Sequence, residues 1–109
     1  MKKLCSLFLC ALLVLQLLPA GALAASAMTT SDQGVAFIAE FEGYRQYAYS
    51  DGGKWYIGYG TACGQNDYPN GVTEEEALRL LQEDLAEKET AVNDFLTQYS
   101  ITLTQTQFD

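Results

Sequence analysis

Two carboxylates stand apart from the acidic stretch Glu74–Asp94. Glu42 lies between Phe41 and Gly43, and Asp51 opens the run Asp51-Gly52-Gly53, with eight residues between the two acids. Glu42 falls at the C-terminal end of a helical pattern. Apolar neighbours and the negative end of a helix both disfavour its charged form, which suits a proton donor. Asp51 falls in a polar glycine turn, where it stays wet and ionised, which suits a base or an electrostatic stabiliser. Two carboxyl groups in unlike surroundings are what glycoside hydrolysis uses. Plainer readings exist for both: Asp-Gly is ordinary turn chemistry, and Glu42 can be a simple helix-end residue.

Other chemistries have no residues to carry them. The 109-residue chain contains no histidine. That excludes Ser-His and Cys-His nucleophile systems and most zinc sites, so neither metal nor cofactor is expected. Of the three cysteines, Cys5 and Cys10 sit in the N-terminal apolar run, and only Cys63 follows it. One thiol makes no internal disulfide and lacks a base, so Cys63 reads as a half-buried structural residue.

The elements that must position the two acids follow from the pattern around them. Thr30 and Ser31 are helix N-cap types, Asp32 suits a first turn, and Val35, Ile38 and Phe41 recur at helical spacing up to Gly43. A helix over about 32–42 is expected. Tyr47 and Tyr49 alternate with Gln46 and Ala48. After Asp51-Gly52-Gly53, Trp55, Ile57 and Tyr59 alternate with Tyr56, Gly58 and Gly60. This predicts a hairpin with Gly58 and Gly60 on one face, where only small atoms fit or a ligand approaches the backbone. Thr61 to Gly71 reads as an irregular loop. Thr73-Glu74-Glu75-Glu76 is a capping box opening a long amphipathic helix to about Leu96, with Leu78, Leu81, Leu85, Val92 and Phe95 on its apolar stripe. Its acids read as a solvated face. Thr104 caps a further helical start at Gln105-Thr106-Gln107-Phe108, which ends after one turn.

The first 27 residues are of another kind. Lys2-Lys3 precede the apolar run Leu4–Leu18, and Pro19, Gly21 and the small residues around Ala24 and Ala27 follow. This is the succession of a cleaved secretory signal, too short for a comfortable membrane span; the alternative is an uncleaved N-terminal anchor. Residues 28–109 hold all 14 acids against Arg45, Lys54, Arg79 and Lys88, a net charge of −10. That balance argues against nucleic acid and anionic membranes as partners.

Three strings give a family resemblance. Phe41-Glu42-Gly43-Tyr44-Arg45, Ala48-Tyr49-Ser50-Asp51 and Ile57-Gly58-Tyr59-Gly60 closely resemble the phage-type lysozymes, glycoside hydrolase family 24. Gly71-Val72-Thr73-Glu74-Glu75-Glu76-Ala77, Leu80-Leu81-Gln82-Glu83-Asp84 and Leu103-Thr104-Gln105-Thr106-Gln107-Phe108-Asp109 continue it in order. The resemblance implies an α+β, lysozyme-like fold: an N-terminal helix, a small antiparallel sheet and a long helix, with the C-terminal helical lobe mostly missing. Residues 28–109 would then be the N-terminal part of such a domain. It implies a secreted, monomeric peptidoglycan hydrolase that cleaves the β-1,4 bond between N-acetylmuramic acid and N-acetylglucosamine. By resemblance Glu42 is the general acid, and Asp51 orients or deprotonates the attacking water. Tyr56 stands where the family usually has the Thr that helps hold that water, and Thr61 where it often has His. Tyr49, Ile57, Gly58, Tyr59 and Gly60 would line the saccharide cleft. The alternatives are a non-catalytic peptidoglycan-binding remnant or an inactive fragment.

N-terminal sequencing of secreted material should place the first residue just after Ala24 or Ala27. A product that keeps Met1 and stays with the membrane would favour the anchored form.

Overall fold

The computed structural model describes residues 26–109. The proposed signal segment, apart from Ser26 and Ala27, lies outside them. The order of elements is α1 (Asp32–Glu42), β1 (Arg45–Asp51), β2 (Lys54–Gly58), β3 (Thr61–Cys63), α2 (Glu74–Gln98) and α3 (Gln105–Phe108). The strands form one antiparallel sheet in the order β1-β2-β3, so the fold is α+β as expected. Among the described residues no helix is long and apolar enough to cross a membrane.

Local chemistry sets each boundary. Ser31 caps α1 by accepting the Gly34 N–H at 3.1 Å. Gly43, at φ +73°, closes the helix with its N–H on the Ala39 carbonyl at 3.0 Å. Asp51 and Lys54 face each other across the loop Gly52-Gly53, whose φ values of +57° and +80° are those a two-residue hairpin of the primed type requires. Thr73 starts α2 by accepting the Glu76 N–H at 3.1 Å, one half of the expected capping box. The full reciprocal box is found instead at Thr104 and Gln107.

The core lies where α1 and the sheet meet the first turns of α2. Ile57, Val72, Ala77 and Leu80 are buried between the sheet and α2, and Val35, Ala39 and Leu81 are buried between α1 and α2. Tyr59 packs against both groups and joins them. The sheet approaches the helix closely at Gly58. A methyl group there would lie 2.8 Å from the Ala77 side chain, and the residue has φ +62°. Only glycine satisfies both conditions.

Two expectations need correction. Residues 61–63 are not loop but strand: Thr61 pairs with Ile57, Ala62 with Tyr56 and Cys63 with Trp55. Three residues are too few for alternation to show in sequence. The apolar face of α1 is also narrower than its spacing suggested, because Phe41 is 83 % exposed. On α2, Ala77, Leu80 and Leu81 are buried, whereas Val92 and Phe95 further along are exposed.

The middle of α2 is covered by residues 28–31 through polar contacts. Met28 exchanges two hydrogen bonds with Asn93: its N–H donates to Oδ1 at 2.8 Å and its carbonyl accepts from Nδ2 at 2.7 Å. The Thr30 N–H donates to Glu89 Oε1 at 2.8 Å. Asp109 accepts both the N–H and the hydroxyl of Ser31, and Gln105 Nε2 bridges Asp109 Oδ1 and the Thr29 carbonyl. The start of α1 is thus tied to α2 and to the α3 turn.

The Ser31 hydroxyl, then the Ser31 amide and Gln105, hold the Asp109 carboxyl below its ordinary value of 3.8. A carboxyl depressed on folding stabilises the fold above its unfolded value and loses that contribution as pH falls below it. Asp109→Asn should therefore lower the melting temperature near pH 6 and flatten the acid slope of stability. Identical melting temperatures for variant and parent from pH 6 to pH 3 would contradict the tie.

Candidate active site

Glu42 is the last residue of α1, and the turn at Gly43 and Tyr44 leads from it directly into β1. It is exposed, as is Phe41 beside it, so the apolar surroundings expected for it are not present. Its position is nevertheless specific. A methyl group on Gly60 would lie 3.6 Å from Glu42 Oε2. The carboxylate therefore sits over the turn between β2 and β3, where the Gly60 N–H is bonded to the Ile57 carbonyl at 3.2 Å and Gly60 has φ +92°. Gly58 and Gly60, paired in the sequence reading, have different tasks: one admits α2, the other lies under Glu42.

Asp51 is exposed at the opposite end of the β1–β2 ladder, facing Lys54. Two pairs mark the ends of this ladder, Arg45 with Gly58 and Asp51 with Lys54. Between them Tyr49 faces Tyr56, with ring centroids 5.9 Å apart. The Arg45 guanidinium lies over the Tyr49 ring, 5.0 Å from its centroid. The strand pleat puts Tyr49 and Asp51 on one face, together with their partners Tyr56 and Lys54. The other face carries Ile57 towards α2. One sheet face thus presents an acid, two half-buried aromatic rings and two cations.

The remaining sequence-predicted residues fall elsewhere. Ile57 is 0 % exposed and Gly58 is buried, so both build the core and neither offers surface to a ligand. Tyr59 is partly buried, 5.8 Å from the Tyr44 ring, and lines a shallow groove with Gly43 and Tyr44 alongside the end of α1. Cys63 packs against the core cluster of Ile57. Burial first, and the Asp67 carboxylate second, push its thiol above the ordinary value, which makes it a poor nucleophile. Among the described residues no cluster of three His, Cys, Asp or Glu side chains is placed to hold a metal ion.

One contact was not foreseen. The Thr61 hydroxyl, buried, donates to Asp84 Oδ2 at 2.7 Å. It ties β3 to α2 one residue beyond Gly60, and so fixes the turn on which the Glu42 carboxylate rests. A β-branched hydroxyl residue directly after Ile57-Gly58-Tyr59-Gly60 was the available signal, but reading 61–71 as loop concealed it.

A family model described as phage lysozyme matches residues 39–109. The match runs from α1 through the sheet and α2 to the α3 turn, and includes Glu42, Asp51 and Tyr56. Such a domain places the chain among peptidoglycan hydrolases. No curated protein and no solved structure matches the chain.

Thr61→Val keeps the shape of the side chain and removes the donor to Asp84. Urea unfolding should show a loss of about 1–3 kcal/mol, the range for hydrogen bonds that involve a charged partner or leave a group unsatisfied. An unchanged midpoint would show that the sheet is held by apolar packing alone.

Proposed function

The chain belongs to the phage lysozyme family, and from that premise we propose that it cleaves the β-1,4 bond between N-acetylmuramic acid and N-acetylglucosamine of bacterial peptidoglycan, outside the cell that exports it. Glu42 protonates the glycosidic oxygen as the bond from that oxygen to the anomeric carbon breaks. Asp51 takes a proton from the attacking water as its oxygen bonds to the same carbon, and offsets the positive charge that develops on the sugar ring. The Tyr56 hydroxyl, on the Asp51 face, helps hold that water. The Tyr49 and Tyr56 rings offer flat surfaces to sugar C–H faces.

The observation that carries this reading is that two exposed carboxylates flank the hairpin, Glu42 over the Gly60 turn beyond one end of the β1–β2 ladder and Asp51 at its other end. The Lys-apolar-small succession of residues 1–27 supports export.

Glu42→Gln should lower cell-wall hydrolysis at least about 10²-fold, the low end of what positioned acid catalysis supplies. Asp51→Asn should be comparably severe, because an amide neither accepts the proton nor offsets charge. Glu83→Gln, on the exposed face of α2, is the control and should do little. Equal activities for folded Glu42→Gln and Glu83→Gln would end the catalytic assignment and favour a wall-binding role.

A further inference from the structure

Residues 28–109 carry 14 acids and only four basic side chains. Arg79 is ion-paired with Glu83 on α2, the only ion pair among the described residues. Lys88 sits between Glu87 and Glu89 on the same helix. The other two, Arg45 and Lys54, are both exposed, both on the β1–β2 hairpin, and placed at its two ends. The Arg45 guanidinium is held over the Tyr49 ring, and Lys54 stands across from Asp51. Between them lie the Tyr49 and Tyr56 rings, tilted against each other at 36° with centroids 5.9 Å apart.

An anion approaching this chain is repelled by most of its surface. On the hairpin face the two cations Arg45 and Lys54 outnumber the one acid, Asp51, which makes it the part of the surface most open to an anion. The face joins aromatic planes, which suit sugar rings, to a planar guanidinium fork, which suits a carboxylate. Its place over the Tyr49 ring holds the guanidinium on this face.

We propose that Arg45, held over Tyr49, is a specificity-determining residue that binds a carboxylate of the glycan substrate, so that the hairpin face selects anionic over neutral saccharide. The proposal rests on the saccharide-binding half of the proposed function and not on its catalytic half. The carboxylate comes from the stem peptide or, on units whose peptide has been removed, from the lactyl group that its removal frees.

The test is sedimentation binding to insoluble peptidoglycan in the Glu42→Gln background, which keeps the polymer intact. Four forms of the polymer are compared: intact and peptide-stripped, each with and without carbodiimide amidation of its carboxylates. The parent should bind the untreated polymer about fivefold more tightly than the amidated one, the upper range for an exposed ion pair. Arg45→Gln should remove that preference, Arg45→Lys should restore part of it, and Arg79→Gln should leave it intact. A preference on the intact polymer assigns the stem peptide, whose carboxylates are the free ones there; one that appears only after stripping assigns the lactyl carboxylate that stripping frees. A preference that persists in folded Arg45→Gln, or its absence in the parent, overturns the proposal. Hydrolysis by the unmodified chain is measured separately, so a chain that discriminates but does not hydrolyse would contradict the catalytic assignment alone.

Discussion

The structure depends on how closely the sheet approaches α2 at Gly58. The space between Gly58 and Ala77 does not admit a methyl group, and on either side of it Ile57 is fully buried and Thr61 is bonded to Asp84. The same turns of α2 bury Val35 and Ala39 of α1 against Leu81. Sheet and first helix are therefore both referred to one surface. The position of Glu42 over Gly60, two residues beyond the closest approach, follows from that shared reference rather than from any direct bond between Glu42 and the sheet.

A larger residue at Gly58 would have two effects. It would need a left-handed backbone that side chains disfavour, and it would push the sheet off the helix. Either displacement moves the Gly60 turn relative to the end of α1. The two carboxylates are thus coupled to packing that neither of them touches. The face bearing Tyr49, Asp51 and Tyr56 needs no enclosure to be organised, because the ladder sets the spacing of its cross-strand rings and of the acid at the tight turn, and the Arg45 guanidinium, beyond a register shift between Arg45 and Tyr49, lies over the Tyr49 ring.

The sequence was most legible where a residue type has one use. Gly43 as a helix stop, Gly52-Gly53 as a primed turn, and Thr73 and Thr104 as caps each met a backbone requirement that few other residues meet. It was least legible where position along an element decides burial. Phe41 and Phe95 have the spacing of core residues, yet both are exposed, since periodicity shows which face of a helix is apolar and not which part of that face is covered. Gly58 and Gly60 looked alike in sequence, and only the neighbouring element distinguishes them. The ties of Met28, Thr30 and Ser31 to Asn93, Glu89 and Asp109 span 59 to 78 residues and had no local signature at all.

The central claim is that Glu42 and Asp51 flank a glycan laid along the Tyr49–Tyr56 face. The most direct measurement is a structure of the Glu42→Gln chain with a peptidoglycan fragment bound. The account predicts saccharide rings against Tyr49 and Tyr56. It also predicts a glycosidic oxygen within about 2.6–3.2 Å of the residue-42 side chain, the reach of proton transfer, and Asp51 on the opposite side of that bond. A fragment bound in the groove beside Tyr59, with Asp51 left in solvent, would contradict it.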